Sequence, residues 1–88
     1  MATSLSTRAD SMRALATAVR DRRRTLGLRQ NELADLAGCS TRFVHTVENG
    51  KASLRFDKLL DVLAVLGLDL TVAPGRGRVV AAGGEPSP

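Results

Sequence analysis

The sequence predicts an all-α fold of four to five helices, followed by a single short β-strand. Its 88 residues suffice for one compact domain, and 43% apolar with 25% charged residues is the balance of a soluble globular protein. Aromatic residues make up only 2%, so the core must be built from Leu, Val and Ala, as in packed helices. Because so small a domain buries little surface, we expect it to form an oligomer.

The first two helices are indicated by apolar periodicity and by glycine stops. The stretch from about Ser11 to Thr25 is rich in Ala, Arg and Leu, and Gly27 is expected to end it. Its core-facing side chains are predicted to be Leu15, Val19 and Leu26. A short second helix is predicted over Gln30 to Ala37, with Gly38 as its stop, and its apolar positions are Leu33, Ala34 and Ala37.

The third helix is predicted to follow Ser40, whose hydroxyl is a suitable N-cap. Val44 and Val47 are expected to point inward. The residues left facing outward carry hydrogen-bonding groups and one ring but no carboxylate, and they are Thr41, Arg42, Phe43, His45 and Thr46. Such a face suits the edge of a base pair.

The fourth helix is predicted to run from its cap, Ser53, to Gly67, after Asn49 and Gly50 close the third. A broad apolar stripe predicts that this helix is thoroughly buried, and the stripe consists of Leu54, Leu59, Leu60, Val62, Leu63 and Leu66.

Residues 68–73 change to a period of two, typical of a half-buried strand that ends before Pro74. The apolar positions of this strand are Leu68, Leu70 and Val72. A lone strand has nowhere to pair, so the simplest partner is the same strand of a second copy across a two-fold axis. The alternative is an extended tail packed on the fourth helix of its own chain.

The chain is predicted to contain one folded domain with loose ends. Residues 1–10 are expected to be a flexible N-terminus, 11–73 the domain with its dimerisation strand 68–73, and 74–88 a disordered tail rich in Gly and Pro. No apolar run reaches membrane-spanning length, and the polar start has no hydrophobic signal core. We therefore expect a cytoplasmic protein with no membrane partner.

The positive charge is concentrated in the front of the chain. Residues 1–51 carry nine basic and five acidic side chains, whereas residues 52–88 carry four of each. The whole net charge of +4 therefore lies where a polyanion is the natural partner, although a solvated basic face gives the same pattern. Cys39 is the single cysteine and His45 the single histidine, so we expect no disulfide, no metal and no other cofactor.

One motif, which runs from Leu28 to Lys51, carries the functional prediction. It places Gln at the start of helix two, Glu-Leu-Ala within it, a Gly turn, and Glu-Asn-Gly-Lys after helix three. Ala34 lets the two helices approach closely, and Gly38 permits the tight turn. The pattern resembles the Cro/C1-type (XRE) helix-turn-helix family, which implies a lambda-repressor-like domain that binds double-stranded DNA.

The resemblance implies roles for the matching residues. Gln30 resembles the residue that holds a phosphate and braces the reading helix. Four positions match those that enter the major groove, namely Thr41, Arg42, Phe43 and Thr46. There Arg42 is expected to bind guanine O6 and N7, and Phe43 a thymine methyl, although Phe43 packed on helix two is the alternative. Asn49 and Lys51 resemble loop residues that touch the DNA backbone, or are simply a capped helix end and a solvated Lys.

Arg29 departs from the family pattern, which usually has a capping Ser or Thr before that Gln. The lost cap costs roughly 1 kcal/mol, and a phosphate contact by Arg29 is the predicted compensation. The basic stretch from Arg20 to Arg24 is expected to lie near the DNA backbone. The complete predicted DNA-binding set is Arg29, Gln30, Ser40, Thr41, Arg42, Phe43, His45, Thr46, Asn49 and Lys51.

Beyond the motif, four helices followed by a Leu-Asp-Leu-Thr-Val strand resemble the HipB-like antitoxin branch of the family, including its y4mF-type members, over roughly residues 15–73. This implies a homodimeric autorepressor that binds an inverted-repeat operator, is nucleoid-associated when bound, and neutralises a HipA-like kinase toxin. The alternative is a stand-alone XRE regulator with no toxin partner. No enzyme is expected, because a Cys39–His45 nucleophilic pair would require abandoning the motif.

Overall fold

The computed structural model describes residues 3–51 and 53–81, and in this part of the chain it forms four α-helices. Their bounds are Thr3–Thr25 for α1, Gln30–Ala37 for α2, Thr41–Glu48 for α3 and Phe56–Leu66 for α4. α2 packs on both α3 and α4, and α1 packs across the same two helices. The helical character of the domain is therefore confirmed.

The predicted bounds of α2 and the start of α3 are confirmed, because local signals determine them. Gly38 ends α2 with a φ of 71°, in the left-handed region that glycine adopts without steric cost. The Ser40 hydroxyl then accepts a hydrogen bond from the backbone N–H of Phe43 at 3.0 Å. This bond satisfies one of the donors that the first turn of a helix leaves without a partner.

The core lies between the four helices and consists of aliphatic side chains. Val44 and Val47 of α3 are fully buried, as predicted. The remaining members of the buried cluster are Leu15, Val19, Leu33, Ala34, Leu59, Val62, Leu63 and Leu66. All four helices contribute to this cluster, so the packing of each depends on the other three.

Two predictions about α1 are wrong. The helix begins at Thr3 rather than near Ser11, because adding residues to an existing helix gains one hydrogen bond for each residue ordered. It therefore includes most of the stretch for which the sequence predicts a flexible N-terminus. Leu26 lies beyond the end of the helix and remains 44% exposed, so it is not a core residue.

The start and the burial of α4 also differ from the prediction. Its N-cap is Arg55, which makes no side-chain capping bond, and Ser53 lies outside the helix. Leu54 precedes the helix but packs against the core. Leu60 is 43% exposed, so one side of α4 faces outward and the helix is not thoroughly buried.

Residues 68–73 have no regular secondary structure in the single chain, so the predicted strand is not formed there. Leu68 packs against the core, but Val72 is 95% exposed. A half-buried strand would instead bury the side chains of both residues on its apolar face. The physical reason is that a strand is defined by hydrogen bonds to a neighbouring strand. Within the described residues, this segment has no such neighbour.

The chain then returns to α1. The backbone N–H of Val79 donates a hydrogen bond of 2.9 Å to the hydroxyl of Ser11, which is buried, and the Val79 side chain packs against the core cluster. The sequence, which predicts a disordered tail over residues 74–88, gave no sign of this contact. Residues 82–88 of that predicted tail lie outside the described residues. No helix in the described ranges is long and apolar enough to cross a membrane.

A buried ion pair joins α1 to the end of α3. The guanidinium of Arg23 donates to both carboxylate oxygens of Glu48, from Nε at 2.6 Å and from the terminal nitrogen at 2.9 Å. A further N–H of Arg23 donates to the carbonyl of Leu28 at 2.9 Å, and Gln30 of α2 donates to Glu48 at 3.0 Å. Glu48 is only 5% exposed, so one carboxylate connects three helices.

The charge state of Glu48 is determined by opposing effects. Burial alone raises the pKa of Glu48, but the hydrogen bonds from Arg23 and Gln30 and the charges of Arg23 and Arg20 outweigh it, and the pKa is lowered. The same pair raises the pKa of Arg23, chiefly through its hydrogen bonds to Glu48. Both groups are therefore charged at neutral pH.

We predict that Glu48→Gln lowers the free energy of unfolding by about 3 kcal/mol, because it leaves the buried guanidinium of Arg23 without its counter-charge. This is a large part of the total stability of so small a domain. Urea denaturation followed by circular dichroism measures the loss. Asp57→Asn is the control, since it breaks the exposed Arg55–Asp57 pair and should leave the urea midpoint nearly unchanged. Equal stabilities of the two variants would contradict the prediction.

We also predict that the domain loses stability in acid through Glu48. Because the folded-state pKa of Glu48 lies below its ordinary value of 4.5, its contribution is complete above that value and is lost as the pH falls through the folded pKa. The free energy of unfolding should therefore fall as the pH is lowered below about 4.5, and less steeply for Glu48→Gln. Urea titrations between about pH 7 and about pH 3 test this. Parallel pH profiles for the two proteins would rule out Glu48 as the cause.

Candidate nucleic-acid interface

α3 presents a polar surface on the side opposite its buried valines. The side chains of Thr41, Arg42 and His45 are exposed there, as the sequence predicts. Thr46 is half-buried, and its hydroxyl donates to the carbonyl of Arg42 at 2.9 Å. Because its proton is used within the helix, Thr46 is left with acceptor capacity toward a ligand. The exposed face therefore offers one strong cationic donor, Arg42, among neutral groups.

Two residues at the N-terminal end of α3 have structural roles in addition to their predicted contacts. Ser40 is exposed, but its oxygen already accepts the capping bond from Phe43. Phe43 is half-buried and packs against the core cluster. This contact favours the alternative to a thymine contact, in which the Phe43 ring packs within the protein.

The start of α2 combines a bracing contact with an uncapped helix end. The side-chain amide of Gln30 donates to Glu48 at the end of α3, which corresponds to its predicted bracing role. Arg29 precedes the helix and is exposed, and its side chain has no acceptor with which to cap. Only half of a capping box forms, in which Glu32 accepts from the Arg29 backbone N–H at 2.8 Å. The first turn of α2 can therefore offer backbone N–H groups to an anion.

The loop after α3 is held against α1. Gly50 has a φ of 70°, and a Cβ placed on it would lie 3.6 Å from the carbonyl oxygen of Met12. The backbone N–H groups of Asn49 and Lys51 bond back to carbonyls of α3, while both side chains are exposed. The backbone of this loop is thus fixed by hydrogen bonds, and it exposes the amide of Asn49 and the ammonium group of Lys51.

The basic stretch of α1 divides between structure and surface. Arg22 donates to the carbonyl of Leu66 at 2.8 Å, and Arg23 is committed to Glu48. These two arginines hold α1 to the other helices, so they have a structural role that the sequence does not predict. Arg24 is exposed and Arg20 is half-exposed, which leaves these two to face a polyanion.

Glu48 and Arg23 are the important residues that sequence reasoning missed. The Glu-Asn-Gly-Lys pattern contains Glu48 but does not indicate its structural role. Glu48 follows the two inward-facing valines at the end of an amphipathic helix, and a carboxylate buried there must pair with a cation. This requirement is the feature of the sequence from which a buried ion pair could have been predicted. Cys39 packs against the core, where burial raises the pKa of its thiol, so it is not an activated nucleophile.

Comparison with known proteins agrees with this geometry. A family model described as a helix-turn-helix domain matches residues 14–74, more than half of the chain. The chain is also 39% identical over 79 residues to the uncharacterized HTH-type transcriptional regulator y4mF of Sinorhizobium fredii (strain NBRC 101917 / NGR234), and the alignment covers 89% of this chain and 99% of that protein. The chain therefore belongs to the helix-turn-helix domain family, of the XRE type that its motif predicts.

Proposed function

We propose that the chain is a sequence-specific DNA-binding transcriptional repressor whose α3 enters the major groove. The observation that carries the proposal is α3 itself, which is capped by Ser40 at one end and braced through Glu48 at the other, with Arg42 exposed between them. An arginine on a rigid helix can bind guanine O6 and N7 in a bidentate manner. The similarity to a protein named as a transcriptional regulator supports the same function.

Around α3, the contacts divide into two kinds. Thr41, Arg42 and Thr46 are assigned to base edges, together with His45 at the same exposed face. Arg29, Gln30, Asn49 and Lys51 are assigned to phosphates, where they position the protein without reading sequence. Ser40 and Phe43 mainly orient the helix.

The test compares Arg42→Ala with Lys51→Ala. Arg42→Ala should cost about 1–3 kcal/mol on the cognate duplex and relax the preference at one base step. Lys51→Ala should weaken all sequences alike and reduce the slope of log affinity against log salt by about one. Fluorescence anisotropy with a duplex from upstream of the gene and a scrambled duplex, over a salt series, measures both effects. Each variant is the control for the other, and identical behaviour would refute the division into base and phosphate contacts.

We infer further that the repressor is a homodimer in which residues 68–73 pair across a two-fold axis. In the single chain the Leu70 side chain is 39% exposed, and Val72 is almost fully exposed. Leu70 also lines an open apolar groove of about 230 Å³ together with Phe56 and Leu59 of α4. A second copy would supply the missing hydrogen-bond partners and cover this apolar surface. Two α3 helices about 34 Å apart would then require an inverted-repeat operator.

If residues 68–73 pair across the two-fold axis, a charged side chain at position 72 should disrupt the dimer. Wild type should have twice the 9.3 kDa mass of the chain by size-exclusion chromatography with light scattering, and Val72→Lys should shift it to the monomer mass. Leu36→Lys is the matched control, because Leu36 is an exposed leucine of α2 outside the predicted strand. A monomeric wild type, or a dimer unaffected by Val72→Lys, would exclude pairing through this segment.

Within this function, we propose the HipB-like antitoxin role, in which the dimer represses its own operon and holds a HipA-like kinase toxin inactive. The support is the resemblance to that branch of three features, namely the four helices, the Leu-Asp-Leu-Thr-Val segment that follows them and the segment Leu54–Leu60. The second candidate is a stand-alone XRE regulator. Co-expression with the neighbouring gene distinguishes the two, because an antitoxin should copurify with a kinase-sized protein and suppress its phosphorylation activity. A protein that purifies alone and still represses its promoter would favour the second candidate.

A further inference from the structure

The C-terminal segment Gly75–Arg78 is a basic element that neither the motif nor the fold requires. It carries Arg76 and Arg78, both exposed, around Gly77, whose φ of 76° is a conformation that glycine adopts without strain. Neither arginine forms an ion pair within residues 3–51 and 53–81. Two exposed cations on a glycine-rich backbone suit a polyanion that the chain can approach closely.

The segment has a defined position because its next residue is anchored. Val79 donates its backbone N–H to the buried hydroxyl of Ser11 and packs against the core. Ser11 directly precedes Met12, whose carbonyl lies against Gly50 in the loop after α3. The anchor of the basic segment and the loop that carries Asn49 and Lys51 therefore rest on adjacent residues of α1.

The charge around this anchor is mainly positive. Arg76 and Arg78 line an open groove whose opposite side is α1, where Arg8 adds a third exposed cation. Asp10 is the acidic residue of the lining, and its carboxylate pairs with Arg13 of the same helix. The three arginines of the groove therefore outnumber its one carboxylate, which already has a cationic partner in Arg13.

We propose that Arg76 and Arg78 form a second DNA-contacting surface, in which each guanidinium binds a backbone phosphate of the duplex beyond the reach of α3. This inference rests on the proposed function and adds a role for the C-terminal segment. The Val79–Ser11 bond is its positioning element, since it fixes the backbone next to the two arginines. Phosphate contacts of this kind increase affinity for any sequence and make it more dependent on salt.

The experiment measures the DNA affinity of the full chain from about 50 to about 200 mM salt for wild type and for Arg76→Gln/Arg78→Gln. Losing two phosphate contacts should reduce the slope of log affinity against log salt by about 1.8 for each protomer bound, so that the affinity loss over this range becomes about tenfold smaller per protomer. The preference for the cognate over the scrambled duplex should stay the same. Arg76→Lys/Arg78→Lys is the matched control, since it keeps both charges and should keep the wild-type slope.

A second variant tests the anchor. Ser11→Ala removes the hydroxyl that accepts from Val79, so it should weaken DNA binding in the wild-type background and have no effect when Arg76 and Arg78 are already glutamine. Equal effects in both backgrounds would show a general loss of folding and would overturn the positioning role. Circular dichroism of each variant monitors folding.

The outcomes separate this inference from the proposed function. A wild-type protein that binds no duplex refutes the repressor itself. A wild type that binds, with an unchanged slope in Arg76→Gln/Arg78→Gln, overturns only the second surface and would leave the arginines to an acidic protein partner. A slope reduced equally by the lysine variant would also overturn it, because a phosphate contact depends on charge.

Discussion

The buried pair between Arg23 and Glu48 is the interaction on which the arrangement of the helices depends. The aliphatic core provides most of the burial, but apolar contacts have no direction and tolerate sliding. A planar guanidinium that donates two hydrogen bonds to one carboxylate permits one geometry. Gln30 donates to the same carboxylate, and Arg23 also holds the Leu28 carbonyl. One charged group thus sets α1, the start of α2 and the end of α3 relative to each other.

That constraint matters because reading a base edge requires a helix held at a fixed angle. α3 has only eight residues, too few to be stable alone, so its neighbours must order it. Ser40 caps its first turn, Val44 and Val47 anchor its inner side, and Glu48 ties its last residue. The exposed side chains between these points can therefore meet a ligand with little further ordering, which lowers the entropy cost of binding.

The parts of the fold that the sequence predicted correctly are those determined by near neighbours. Gly38 and Ser40 define the turn between α2 and α3 through local conformation and capping, so their roles could be read directly. The interaction between Arg23 and Glu48 spans helices that are distant in sequence, and no local pattern distinguishes Arg23 from Arg24. The anchoring of Val79 on Ser11 was hidden for the same reason. At residues 68–73 the alternation is visible in the sequence, but a strand also needs a partner strand, and residues 3–51 and 53–81 of the single chain do not supply one.

The arginines illustrate why charge counted along a sequence differs from charge on a surface. The front of the chain carries the whole net charge, yet Arg22 and Arg23 use their donors on the Leu66 carbonyl and on Glu48, inside the protein. Residues 52–88, whose charges balance, contain Arg76 and Arg78, and both of these side chains are exposed. The affinity for a polyanion depends on the cationic side chains that are accessible to it. A guanidinium that is already bonded within the fold contributes little to that affinity. The exposed basic side chains therefore lie on α3 and its loop, in the front part of the chain, and also on the C-terminal segment, whose two arginines are concealed by the balanced charge count of residues 52–88.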